Sequence, residues 1–154
     1  MSKFCVGPLV KKLLLFILFF GLDRFSKIWV LKGFYNFDLT SFLSFDITMN
    51  RGIAWGLLHT DNQYGFWCIT GLIVITICAM VYNSWSAKGQ NRFSLPELLI
   101  FAGATSNLTD RLVYQGVIDF ISVHFGNWAF PVFNLADVWI VTGVFCLMLG
   151  YYEK

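Results

Sequence analysis

The chain has 154 residues, of which 57% are apolar, 19% aromatic and only 13% charged, with a formal net charge of +2. A soluble domain averages about 25% charged residues, and so few charges would leave large exposed apolar patches; lipid removes that difficulty, so the composition reads as an integral membrane protein. With no basic run interleaved with aromatics, a nucleic-acid surface is excluded.

A helix needs about 20 mostly apolar residues to cross a ~30 Å hydrocarbon core, and four segments come close. The first covers residues 13–30, after Lys11 and Lys12. No small-residue cleavage site follows it, so it reads as a retained span rather than a signal peptide. It contains Asp23 and Lys27 at i,i+4, the spacing of a helical ion pair, with Arg24 beside them. The long loop that follows alternates apolar and polar residues over Phe45-Asp46-Ile47-Thr48-Met49-Asn50. That is the period of a half-buried strand, and it predicts a small sheet in this loop, lying on the membrane face. Gly52 and Gly56 then allow tight turns.

The second span, 64–82, carries no charge, and a plain polar turn with Lys88 and Arg92 separates it from the third, 95–108. Pro96 and Glu97 suit the first turn of that helix. Asp110 and Arg111 are expected to end it, with Asn107 and Asp110 at i,i+3 on one face. The fourth span is 133–151. Acids within or at the ends of two spans weaken them by a strict hydropathy measure. Four spans put both termini on one side, but the basic residues divide almost evenly between the two faces and orient the chain only weakly. The expected architecture is all-α, with four transmembrane helices and a small sheet in the first long loop, as one domain over 1–154. The cysteines Cys5, Cys68, Cys78 and Cys146 show no CxxC spacing, and three lie in apolar runs, so they read as small buried hydrophobes. Neither a metal nor a cofactor is expected.

An ionisable group at membrane depth costs about 2.5 to more than 10 kcal/mol, so such groups are kept where they are useful or well paired. Of the nine acids, Asp38, Asp46, Asp61 and Glu153 fall in loops or the tail and read as solvated. Asp119, between Val117-Ile118 and Phe120-Ile121, has surroundings that raise a carboxyl pKa by desolvation. Asp137 stands at the start of the fourth span, 18 positions later, and Gly126 and Pro131 let the intervening chain fold back. If the two carboxyls meet they share one proton, and the pair can work on a water as in an aspartic protease. If they do not meet, they are two interfacial acids. Other chemistries have less support: His59 and His124 belong to no HExxH helix, and there is no GxSxG elbow. A proton-coupled small membrane transporter using the intramembrane acids is the rival reading, and a structural subunit assembled through ion pairs is a third.

Five stretches, in order, resemble lipoprotein signal peptidase, the type II signal peptidase family of bacteria: Asp23-Arg24-Phe25-Ser26-Lys27, Asn50-Arg51-Gly52-Ile53-Ala54-Trp55-Gly56, Asn107-Leu108-Thr109-Asp110-Arg111, Val117-Ile118-Asp119-Phe120 and Phe133-Asn134-Leu135-Ala136-Asp137. The resemblance implies an aspartyl endopeptidase of the cytoplasmic membrane, with cytoplasmic termini and a site near the outer face; a monomer is expected. It implies prolipoprotein substrates cut just before a cysteine bearing diacylglycerol. Asp119 and Asp137 then match the catalytic pair. Asn50, Gly52, Asn107, Arg111, Asn134 and Ala136 match pocket positions, while Asp23, Lys27 and Asp110 match supporting ones. Ser106 stands where glycine is common, and Trp55 where phenylalanine is common; both read as changes of shape.

Overall fold

The computed structural model describes residues 7–34, 37–53, 57–86, 93–126 and 128–152. Lys3, Cys5, Ala54, Trp55, Gly56, Lys88, Arg92, Glu153 and Lys154, on which parts of the sequence reading fall, lie outside the described residues. The element order is α1 (Pro8–Leu31), β1 (Phe37–Thr40), β2 (Leu43–Asn50), α2 (Gln63–Ser86), α3 (Leu95–Tyr114), β3 (Val117–Phe125), β4 (Trp128–Ala129) and α4 (Leu135–Tyr152).

α1 begins with Pro8 in its first turn, where the missing N–H has no partner to lose. α3 starts at Ser94, whose backbone N–H donates to the Glu97 carboxylate at 2.6 Å, the expected first-turn role for that acid. It does not stop at Asp110 and Arg111. Both charges sit inside the helix, buried, and the chain leaves it at Gln115 in a left-handed conformation. They do not terminate the helix because partners elsewhere in the fold neutralise or solvate them.

α3 is the central helix, in contact with α1, α2 and α4. Its approach to α4 depends on a missing side chain: a Cβ at Gly103 would run into the Ala136 carbonyl oxygen. Small residues at a helix crossing bring backbones together where lipid offers no hydrophobic drive. The polarity of the molecule is inverted. Leu13, Ile17, Phe25, Leu72, Ile75 and Phe145 point outward, whereas Asp23, Lys27, Asp110, Arg111 and Asn134 are at most 1% exposed. Cys68, Cys78 and Cys146 are exposed as well, contrary to the expectation that they are buried; in apolar runs whose outer face is uncovered, a small hydrophobe can point outward. α2 is long and apolar enough to cross a membrane, and Leu135–Gly150 of α4 forms a shorter apolar helix.

The four strands form one antiparallel sheet in the order β1-β2-β3-β4. The alternation at Phe45–Asn50 does mark a strand, but the register slips between Phe45 and Thr48, so burial does not alternate along it. The sheet is also not confined to the first long loop: β3 and β4 come from the segment between α3 and α4. Val117–Phe120 is buried throughout, and a strand covered on both faces shows no alternation to read.

Candidate active site

Asp119 is placed by the pairing of β2 with β3. Thr48 faces Asp119 and Asn50 faces Val117. Residues two apart share a strand face, and Asn50 Nδ2 accordingly reaches diagonally to donate to Asp119 Oδ2 at 3.0 Å. The other end of the Asn50 amide is fixed by its own loop, since Gly52 N–H donates to Asn50 Oδ1 at 2.8 Å. A side chain at Gly52 would run into the Leu57 carbonyl and come within 2.8 Å of the His59 nitrogen, so only glycine fits this turn.

Asp137 arrives by the return of the chain. β3 turns at Gly126, β4 pairs back, and Phe133 bridges to Ile121 before α4 begins. Asn134 is the cap of α4: its Oδ1 accepts from Asp137 N–H at 2.9 Å, and Asp137 Oδ2 accepts from Asn134 N–H at 3.3 Å. This reciprocal pattern satisfies two orphan donors of the helix end. The same asparagine donates from Nδ2 to Asp119 Oδ1 at 2.6 Å. One residue therefore touches both carboxyl groups and bridges the two acids. Asn107 completes the set, donating from Nδ2 to Asp137 Oδ1 at 3.0 Å.

Asp119 is 2% exposed. Burial, and after it the negative charge of Asp137, push its carboxyl up to about 7 against the donors Asn50 and Asn134, which pull the other way. At neutral pH the Asp119 carboxyl is thus close to half protonated.

Behind the pair lies a cluster of four charges. Lys27 forms ion pairs with Asp23 and Asp110 at 2.8 Å each, and Arg24 pairs with the other oxygen of Asp110. The cluster is neutral in sum, as buried charges must be to persist. Asp23 also accepts from Ser106 Oγ at 2.6 Å and from Ala136 N–H at 2.8 Å, which ties α1 and α3 to the first turn of α4. Asp110 accepts from Ile118 N–H at 3.3 Å.

Arg111 departs from this cluster. It donates to the Gly52 carbonyl, and its guanidinium lies 5.3 Å over the Phe66 ring, with Arg51 5.1 Å over the same ring. Its Nε and Nη1 are buried without a partner among the described residues. A cavity of about 390 Å³ opens here, with Asn50, Asn107 and Arg111 at its polar end and Leu72, Ile73 and Ile140 among its apolar walls. Smaller clefts of about 200 and 130 Å³ reach Asp137, beside Phe133 and Val141, and Asp119, beside Thr48 and Pro131.

Every site residue expected from the sequence is gathered in this region. The i,i+4 pair Asp23–Lys27 forms, but fully buried and shared with Asp110. Two contributors were missed. Ser106 is more than a change of shape, since its hydroxyl holds Asp23, and Arg24 neutralises Asp110. The available signal for Ser106 was its spacing, one helical turn before Asp110 and so on the same helix face. His124 does not join the pair: its backbone N–H donates to Phe42, and it sits half-buried near the far end of β3.

The profile of the family described as Signal peptidase (SPase) II matches residues 15–152. The lipoprotein signal peptidase of Burkholderia ambifaria (strain MC40-6) is 40% identical to this chain over 155 residues, covering 96% of this chain and 91% of its own. That of Burkholderia vietnamiensis (strain G4 / LMG 22486) is 38% identical over 151 residues, with the same coverage. The fold is similar to a bacterial membrane enzyme solved by the in meso method at 2.3 Å resolution, with TM-score 0.77 and 26% identity, covering 93% of this chain and 88% of that one. A second such structure, at 1.9 Å, gives TM-score 0.75 and 26% identity, with 94% of each chain covered.

Proposed function

The chain belongs to the signal peptidase II family, and we propose that it cleaves diacylglyceryl-modified prolipoproteins just before the lipidated cysteine, with Asp119 and Asp137 as its catalytic pair. The observation that carries this reading is the single residue, Asn134, which donates from its side chain to the Asp119 carboxyl and from its backbone N–H to the Asp137 carboxyl at the start of α4. Family membership supports the enzymatic reading and gives none to proton-coupled transport.

In this reading one domain spans 1–154 and acts as a monomer in the bacterial inner membrane. α1 to α4 cross the bilayer, both termini are cytoplasmic, and the acids lie near the outer face. The outward leucines, isoleucines and phenylalanines support four spans. So does the pairing of Asp23, Lys27 and Asp110, because the charges that weaken α1 and α3 by hydropathy are sheltered from lipid.

Asp119, still partly protonated at physiological pH, donates its proton to the scissile carbonyl oxygen. Asp137 takes a proton from a water held between the two carboxyls, and the water oxygen bonds to the carbonyl carbon. The tetrahedral intermediate collapses as Asp137 passes its proton to the cysteine nitrogen, the C–N bond breaks, and Asp119 recovers its own proton. Arg111, with unpartnered N–H groups beside the cavity, and Asn107 and Asn134 offer donors to the extended substrate backbone, which brings its own amides into a dry site. Asn50, Gly52 and Ala136 shape the pocket around them. The apolar walls along α2 and α4 take acyl chains or signal-peptide side chains.

Asp119→Asn and Asp137→Asn are expected to insert normally and to release no signal peptide from a purified diacylglyceryl lipobox substrate. Release at the wild-type rate by either variant would refute the pair.

A further inference from the structure

Lys27 can do nothing but donate, and it is wholly enclosed, at 0% exposure. An ammonium has three donors and no acceptor. All three are matched: Asp23 Oδ2 and Asp110 Oδ2 lie at 2.8 Å, and Asn107 Oδ1 at 2.7 Å. The third contact has a consequence for the catalytic pair. An amide presents oxygen on one side and NH₂ on the other, and the surrounding network decides which way round it sits. With the ammonium on one side, Asn107 must turn its oxygen there, which aims its NH₂ at Asp137 Oδ1, 3.0 Å away. Asn134 Nδ2, 3.3 Å from the same Asn107 oxygen, reinforces that orientation.

We propose that Lys27 is a positioning residue of the reaction, acting through Asn107: its ammonium fixes the orientation of the Asn107 amide and so the donor that holds the Asp137 carboxylate in its working geometry. The ion pairs to Asp23 and Asp110 stabilise the fold, whereas the bond to Asn107 serves the chemistry. These are separable functions of one ammonium. The proposal rests on the reading of Asp137 as half of the catalytic pair.

Lys27→Met keeps the length of the side chain and removes every donor. It also leaves one buried negative charge uncompensated, which by itself destabilises. The informative form is therefore Lys27→Met with Asp23→Asn, which removes one charge of each sign. Purified in detergent and assayed on a diacylglyceryl lipobox peptide, the double variant is expected to recover the thermal midpoint lost in the single one. Its kcat stays down by about 10- to 100-fold, the cost of a displaced catalytic group, with KM within about twofold. In an Asn107→Ala background, adding the same pair of changes has no further effect on kcat. Recovery of kcat together with stability would overturn the proposal, as would an equal loss with and without Asn107. Failure of the double variant to insert would also overturn it, by making the cluster a folding element only. None of these outcomes bears on the catalytic pair, which fails separately if Asp137→Asn retains processing.

Discussion

Asp119 and Asp137 could be singled out from the sequence because carboxylates beside apolar runs are few and costly, so each one calls for a reason. Their supporting residues were harder to see. Ser106 and Arg24 take partners 83 and 86 positions away, on other helices, and no local pattern encodes that. The pair has a definite pH signature. The Asp119 carboxyl is raised from 3.8 to about 7, chiefly by burial and then by Asp137. A raised acid binds its proton more tightly in the folded than in the unfolded chain. Between about pH 4 and 7 the folded protein therefore holds the extra proton, and this group's contribution to stability is lost as pH rises through that window. The rate follows the same ionisation. Processing that needs Asp119 protonated is expected to decline above pH 7, read as the alkaline limb of a kcat–pH profile. A rate that stays level to pH 9 would remove Asp119 from the proton-donating role.

At the scale of elements, length and hydropathy located all four helices and alternation marked β2, but boundaries and the β3–β4 part of the sheet escaped. α3 runs past residue 108 to Tyr114, since Asp110 is neutralised by Lys27 and Arg24, and Arg111 bonds the Gly52 carbonyl. A sequence shows the charges but not their partners. β3 went unread because Val-Ile-Asp-Phe lacks the two-residue rhythm of a half-buried strand. The consequential contact between elements is α3 against α4 at Gly103, directly under the residue before Asp137. Gly103→Leu is expected to cost about 1–3 kcal/mol by overpacking, and to reduce processing more than the lost stability accounts for, because it displaces the first turn of α4. Thermal midpoint and single-turnover rate on the same preparation check both parts. A Gly103→Leu protein with unchanged rate would mean that this crossing does not set the position of Asp137.

For the molecule as a whole, the inverted arrangement, apolar outside and charged within, explains how a chain with 13% charged residues folds. Arg24 and Lys27 of α1 pair with Asp110 of α3 and so join two of the helices. Asp23 and Lys27 of α1, Ser106, Asn107 and Asp110 of α3, and the first turn of α4 form one connected set that ends on the two acids. The sheet supplies the second acid and Asn50 from the other side. This convergence was legible only as an expectation carried by motif order, because nothing in spacing alone brings positions 23, 50, 107, 119 and 137 together.

The proposed chemistry depends on Asp119 and Asp137 holding one proton between them, and infrared difference spectroscopy of the purified enzyme across a pH titration measures that directly. A protonated-carboxyl band that fades as pH passes about 7, and that is missing from Asp119→Asn, is the predicted result. A spectrum without such a band at pH 5, or a band that survives in Asp119→Asn, would contradict it.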